Sequence, residues 1–406
     1  MNKQIFAIAA VGMASAGALC AQSLYDIAPN EAEKDSLPLT WTAGMDIGWD
    51  DNPTPLLVGG GDDESMYGQA YVGATLLNNQ PASTTSFGAQ IGVIHYFDNL
   101  DVRGTDVDDT SFTASLYLNH TQRISERLRI VSRNSLAYEL EPDYSFGYQS
   151  DRQVGNYFRW YTDNAVGYRW SERLATYTGF ALNGITYDDV DNRDRFTWSL
   201  YSDFRYQLSQ VTVGTLNYRY AETEGDGPVT DSTNHYVTVG LEHRFSPRAI
   251  GVIKGGVQIR DVDNGDSDTN PYFEGSLRIK ANEQFSWKAY GRYGIEDYSR
   301  SIGPAIYSGN ETLRLGIEGD YIVSQQLSLI AGINYINSSY DDLLDTSPPG
   351  PSSVDEDSLN AYIGFDYGIT ETISVNGRYN FEDLSSDAGS RDYDRNRFSL
   401  GVSAQF

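Results

Sequence analysis

From Leu39 to Phe406, apolar and polar side chains alternate with a period of two, segment after segment. Leu39, Trp41, Ala43, Met45, Ile47 and Trp49 interleave with Thr40, Thr42, Gly44, Asp46 and Gly48. A β-strand turns successive side chains to opposite faces, so such a segment has one apolar and one polar side. The same texture returns in Phe196, Trp198, Leu200, Phe204 and Tyr206 against Ser199, Tyr201, Asp203, Arg205 and Gln207. It returns again in Leu359, Ala361, Ile363, Phe365 and Tyr367 against Asn360, Tyr362, Gly364 and Asp366.

The connections between these segments alternate between two kinds. Short ones fall at 77–84, 121–127, 170–174, 207–211, 244–248, 280–284, 322–326 and 368–372. Long ones fall at 50–65, 98–109, 140–154, 188–195, 222–231, 261–270, 297–310, 341–357 and 383–395. Eight short turns and nine long loops separate eighteen expected strands, with both chain ends on the short-turn side. A misread turn at 77–84 or 121–127 would lower the count to 16. The repeat is a hairpin of about forty residues, a period shared with β-propeller blades. A propeller blade, however, has four short strands and no alternation of connection length. Strands of about eleven to thirteen residues suit a tilted crossing of a bilayer. An open sheet this wide would expose unpaired edges, which lipid does not tolerate. The expected fold is therefore all-β: a transmembrane antiparallel up-and-down barrel of about 18 strands, with short periplasmic turns and long acidic extracellular loops.

Residues 1–21 carry Lys3, an apolar run from Ile5 to Leu19 and small residues ending at Ala21, the pattern of a cleaved Sec signal peptide. A lipidated Cys20 is the competing reading, and Leu19 before it is the wrong residue for that box. Cleavage at Ala21 removes the one cysteine, which leaves no disulfide framework. The expected organisation is a signal peptide at 1–21, a short acidic periplasmic segment at 22–37 and the barrel at 38–406.

With 56 acidic and 29 basic residues the formal charge is −27. That balance excludes a sequence-independent grip on nucleic acid, which needs clustered Lys and Arg. The long connections, each extended by a residue or so, hold 40 of the 56 acids and 7 of the 29 bases. Asp-rich pieces at 261–268 and 341–345 invite a calcium reading but lack EF-hand spacing. A solvated acidic rim accounts for them, with loose divalent bridging to lipopolysaccharide left open.

Strand interiors reverse the balance. The polar parity carries fifteen bases, including Arg133, Arg159, Arg205, Arg219, Lys254, Arg278, Lys288, Arg292, Arg314 and Arg378. Eight acids share it, including Asp163, Asp203, Glu274, Glu318 and Asp366. A Lys or Arg on the lipid face at mid-membrane costs about 2–4 kcal/mol, so these side chains are expected to face inward and line a pore. The expectation is a net-basic lumen beneath an acidic mouth. Polar-parity tyrosines such as Tyr67, Tyr157, Tyr236, Tyr290 and Tyr362 are candidates to stack on sugar rings.

Trp41, Trp49, Trp160, Trp170, Trp198 and Trp287 all fall on the apolar parity, most of them near strand ends, where aromatic girdles meet lipid headgroups. His95, His120, His235 and His243 share that parity. A hydrolase would need one of them beside a serine and an acid. None has that setting, and no two have metal-ligand spacing, so the expectation is no catalytic residue, no metal and no cofactor.

Phe398, Leu400, Val402, Ala404 and terminal Phe406 alternate with Ser399, Gly401, Ser403 and Gln405. An aromatic last residue on an alternating strand resembles the recognition signal of bacterial outer-membrane barrels. Together with hairpins such as YRWSERLATYTGF and YGITETISVNGRYNF and the first strand WTAGMDIGWDDNPT, the chain resembles the Putative beta-barrel porin 2 family over residues 38–406. The resemblance implies a Gram-negative outer-membrane barrel with a porin-like role and transfers no catalytic residues.

Eighteen strands enclose a lumen wide enough for water and small solutes. Residues 22–37 are too few for a folded plug. Passive diffusion of small hydrophilic solutes is thus the leading expectation. The alternatives are a specific channel for sugars or organic anions, and a non-conducting structural or adhesive barrel. Expected partners are outer-membrane lipid and lipopolysaccharide, the barrel-assembly machinery through the C-terminal strand, and small solutes, with a homo-oligomer left open.

Overall fold

The computed structural model describes residues 36–53, 64–98, 109–140, 156–188, 194–226, 231–263, 267–296, 301–302, 305–345, 351–388 and 391–406. The expected signal peptide, nearly all of the 22–37 segment and the tips of the long loops lie outside the described residues. The strands are β1 (Leu37–Asp50), β2 (Ser65–Gln80), β3 (Ser83–Tyr96), β4 (Thr110–Arg123), β5 (Leu128–Glu139) and β6 (Tyr157–Arg169). Then come β7 (Leu174–Tyr187), β8 (Arg195–Gln207), β9 (Thr212–Gly225), β10 (Ser232–Ser246), β11 (Ala249–Val262), β12 (Ser267–Lys280) and β13 (Phe285–Ile295). The set ends with the two-residue β14 (Ser301–Ile302), β15 (Ala305–Ile322), β16 (Leu327–Asp345), β17 (Val354–Gly368), β18 (Ile373–Ser386) and β19 (Tyr393–Gln405).

Every long strand pairs antiparallel with its neighbours in sequence, and β19 pairs with β1, so eighteen long strands close one barrel. Closure runs from Thr42 opposite Gln405 to Asp50 opposite Arg397, and the backbones of Trp41 and Phe406 exchange both hydrogen bonds beyond it. β14 only folds back on the start of β15. No helix among the described residues is long and apolar enough to cross a membrane.

Chemistry in the short turns repeats. Ser125, Ser171, Ser324 and Thr370 each accept, through the side-chain hydroxyl, the backbone N–H groups two and three residues on. Asn282 does the same through its amide oxygen, while Ser209 and Ser246 take the first of the two bonds. A short polar side chain that folds onto its own backbone is the cheapest way to reverse a strand in few residues.

Two boundaries differ from expectation. The turn expected at 77–84 shrinks to Pro81 and Ala82. At the other rim strands continue into expected loops: 222–225, 267–270, 305–310, 341–345, 354–357 and 383–386 are all paired. The ladder needs only backbone groups, so it carries on above the apolar band where both faces have turned polar.

Outside, the wall is apolar: Met45, Ile91, Phe112, Val239 and Ile253 are each more than 60% exposed. An apolar belt of this extent marks a lipid-facing surface rather than a solvated one. Inside, packing concentrates near the long-loop end in four buried clusters built on tyrosine. These are Tyr67, Ile94 and Tyr96; Tyr157, Ile185 and Tyr187; Ala221, Tyr236 and Tyr272; and Tyr307, Tyr340 and Val354.

Candidate functional site

Directly opposed residues of an antiparallel pair share a face. One row of such pairs runs Arg205, Thr215, Gly240, Lys254, Glu274, Arg292, Arg314 from β8 to β15. The next parity along the same strands carries Phe204, Leu216, Leu241 and Ile253, all exposed. The charged row is therefore the inner face, and the register puts all fifteen expected pore residues on it.

The structure gathers most of them into ion pairs. Arg133 meets Asp163 at 2.9 Å, and Tyr201 donates its hydroxyl to the other Asp163 oxygen at 2.5 Å. Arg159 reaches Glu139 at 3.3 Å. Arg205 lies 3.5 Å from Asp203 and 2.6 Å from Glu242, with its own side chain fully buried. Arg292 and Arg314 share Glu296 at 3.3 and 2.7 Å. Lys288 contacts Glu318 at 3.1 Å, while Arg278 stands opposite Lys288. Lys254 stands opposite Glu274. Arg219 lies over the Tyr236 ring at 3.9 Å and Arg378 over Tyr362 at 4.6 Å. Asp366 stands apart from these, accepting from Ser374 Oγ at 3.4 Å. Ions taken out of water need matched partners, and these pairs supply them.

Asp50, Glu139, Glu296, Glu356 and Glu382 also stand on this wall, although sequence reading placed them in or beside the loops. So do Arg195, Arg395 and Arg397. Asp50 binds Arg395, Glu356 binds Arg391, and Glu296 binds Arg314, forming a collar of buried pairs at the long-loop end. With Arg391, four arginines join against these five acids, so the inner wall is less basic than the strand interiors alone indicate. A signal existed: each of these acids keeps the inward parity of its strand.

The polar-parity tyrosines take two kinds of position on the inner wall. Tyr67, Tyr157, Tyr201 and Tyr236 are buried. Tyr290 and Tyr362 instead cover Gly316 and Gly332 on the neighbouring strand; a methyl group at Gly332 would stand 2.5 Å from Tyr362 Cζ. Only glycine permits a ring to lie that close to the wall.

Trp49, Trp160 and Trp198 fall near the long-loop end and Trp41, Trp170 and Trp287 near the short-turn end. Trp41 and Trp170 are exposed, and terminal Phe406 is 71% exposed. The histidines each pair with a hydroxyl of an adjacent strand: His95 with Thr110, His120 with Thr85, His243 with Thr212 and His235 with Tyr218. No metal-binding group of His, Cys, Asp or Glu occurs among the described residues. In the turn at 281–284, Glu283 bonds to Lys280 at 2.8 Å and Arg248 at 2.5 Å; the Lys280 hydrogen bond holds its carboxyl below the usual carboxylate range.

A closed antiparallel barrel with an apolar outside and a charged, ion-paired inside defines a transmembrane β-barrel. The family profile described as Putative beta-barrel porin 2 matches residues 181–406, more than half of the chain. The protein belongs to that family. No curated protein sequence matches the chain. Among solved structures, OpdK from Pseudomonas aeruginosa is similar at 12% identity with a TM-score of 0.47, covering 91% of this chain and 99% of that one. OccAB4 from Acinetobacter baumannii is similar at 12% identity with a TM-score of 0.43, covering 92% and 99%. P. aeruginosa OccK2 (OpdF) in complex with glucuronate is similar at 11% identity with a TM-score of 0.46, covering 92% and 98%. Likeness at this level identifies neither a solute nor a mechanism.

Proposed function

We propose that the protein is a porin-like channel of the Gram-negative outer membrane for passive diffusion of small hydrophilic solutes, exported by a signal peptide cleaved near Ala21. The single observation that carries this reading is the division of the barrel wall: hydrophobic outward, charged inward at every level from Arg378 to Arg395. Solutes cross a water-filled lumen and are sorted by size and by the field of the inner charges. Excess basic side chains on strand interiors support a weak anion preference, moderated by the collar acids, beneath an acidic mouth. The fifteen residues from Arg133 to Arg378 act as pore lining and the six tryptophans as the lipid girdle. Phe406 and the C-terminal strand engage the assembly machinery, and the outer wall contacts lipid and lipopolysaccharide.

Swelling of proteoliposomes in isosmotic sugars tests this. Rates that fall with sugar size support the channel, and absence of swelling with folded protein overturns it. One observation favours a non-conducting surface barrel instead: inner side chains near the long-loop end, such as Tyr307, Tyr340 and Val354, are almost fully buried. The same experiment decides between the two.

A further inference from the structure

Most inner-face guanidiniums described above are tied to a carboxylate. Arg219 of β9 and Arg378 of β18 are not: among the described residues neither forms an ion pair or donates a side-chain hydrogen bond. The Arg219 Nε is enclosed and without an acceptor. Both rest on tyrosine rings, Tyr236 and Tyr362. A guanidinium seated this way uses its face, while its N–H donors lie in the plane and stay uncommitted.

Their surroundings match. Beside Arg219, Tyr272 packs edge-on against Tyr236 at 5.3 Å and donates its hydroxyl to Glu274 at 2.8 Å, opposite Lys254. Beside Arg378, Tyr362 itself donates to Glu318 at 2.9 Å, and Glu318 contacts Lys288 at 3.1 Å. Each setting thus holds a ring-seated arginine, a glutamate anchored by a tyrosine hydroxyl, and a lysine on that glutamate. Arg378 is flanked by Gly364 and Ser399, which leaves it exposed in the lumen. Both arginines lie near mid-strand, and β9 and β18 are eight long strands apart of eighteen, on nearly opposite walls.

We propose that Arg219 and Arg378 are two docking stations for a small monocarboxylate inside the lumen, an inference that rests on the lumen being open to solutes. The fork of a guanidinium edge fits a carboxylate with two parallel hydrogen bonds. Glu274 and Glu318 stay close by, and their charge penalises a ligand with a second negative charge. The occupant is therefore a monoanion such as benzoate in preference to inorganic phosphate.

Calorimetric titration of refolded protein in detergent, with benzoate and with phosphate, tests this without needing current. Arg219→Gln and Arg378→Gln are each expected to remove one station, and the double variant to weaken benzoate binding by about tenfold or more. Heat-modifiable migration on gels verifies the fold; should the double variant fail it, Arg219→Lys with Arg378→Lys keeps the charges, removes the forks and is expected to weaken binding as well. Benzoate binding unchanged in the folded variants, or phosphate bound more tightly than benzoate, overturns the proposal. Conductance of the same preparations separates the two readings. Current without benzoate binding overturns the stations alone, whereas binding without current overturns the channel alone.

Discussion

Arg395 and Asp50 lie 345 residues apart in sequence and form a buried two-pronged ion pair, with Nε 2.9 Å from Oδ1 and Nη2 2.5 Å from Oδ2. The pair spans the β19–β1 junction, the one place where the chain must find its own beginning. Tyr96 also donates its hydroxyl to Asp50 at 3.4 Å, so a third strand joins the contact. Removing one partner of a buried pair strands the other charge, at a cost of about 3–5 kcal/mol. Asp50→Asn is expected to lower the urea midpoint of the folded barrel in lipid vesicles by a corresponding amount. An unchanged midpoint would show that the backbone ladder alone secures the closure.

Gln258 repairs a break in the wall. The β12–β13 ladder stops at Phe273 opposite Tyr293, and Pro271, which would continue that register opposite Ile295, has no N–H to offer. Gln258 of β11 takes over from two strands away, donating to the Ile295 carbonyl and accepting from its N–H, both at 3.0 Å. Gln258→Leu is expected to leave both backbone groups of Ile295 orphaned, at about 1–3 kcal/mol each. Faster amide hydrogen exchange at Ile295 and Glu296, with the opposite side of the barrel unaffected, is the readout.

How much of this was legible beforehand depends on the range of the interaction. Eighteen strands, the short turns and the inward parity of residues such as Arg205 and Glu274 follow from a period of two, which is local. The collar was not legible as such, because at Asp355–Glu356–Asp357 the apolar marker has gone and acids occupy both faces. Parity still assigns Glu356 inward, but only once the strand is known to reach Val354. The Tyr362–Gly332 contact and the Gln258–Ile295 repair depend on cross-strand register, and a single chain offers few clues to that.

Tyrosine rings lying on glycine keep inner side chains against the wall. Gly332→Ala and Gly316→Ala are expected to force Tyr362 and Tyr290 off it and toward the lumen axis. Single-channel conductance should fall in both variants, and further in the double variant. Conductance equal to that of the parent would mean these rings do not border the path of the ions.

The hydrogen bond from Lys280 to Glu283 gives the turn at 281–284 a pH dependence. The Glu283 carboxyl is held below the ordinary range in the folded protein, so its contribution is present above the unfolded value of about 4.3 and is lost as pH falls through the lower folded value. Because the pair is solvent-exposed, the effect is small. Glu283→Gln should therefore lower the unfolding temperature slightly at pH 7, and the difference should close below about pH 4. A difference that grew on acidification would reverse the assigned sign.

In the proposed channel, charged inner side chains border water continuous across the membrane. Single-channel recording in a planar bilayer under a salt gradient addresses it most directly. Stable unitary currents are expected, with a reversal potential showing weak anion preference and a shift toward cations in Arg219→Gln with Arg378→Gln. Electrical silence from protein shown to be folded by heat-modifiable migration would contradict it.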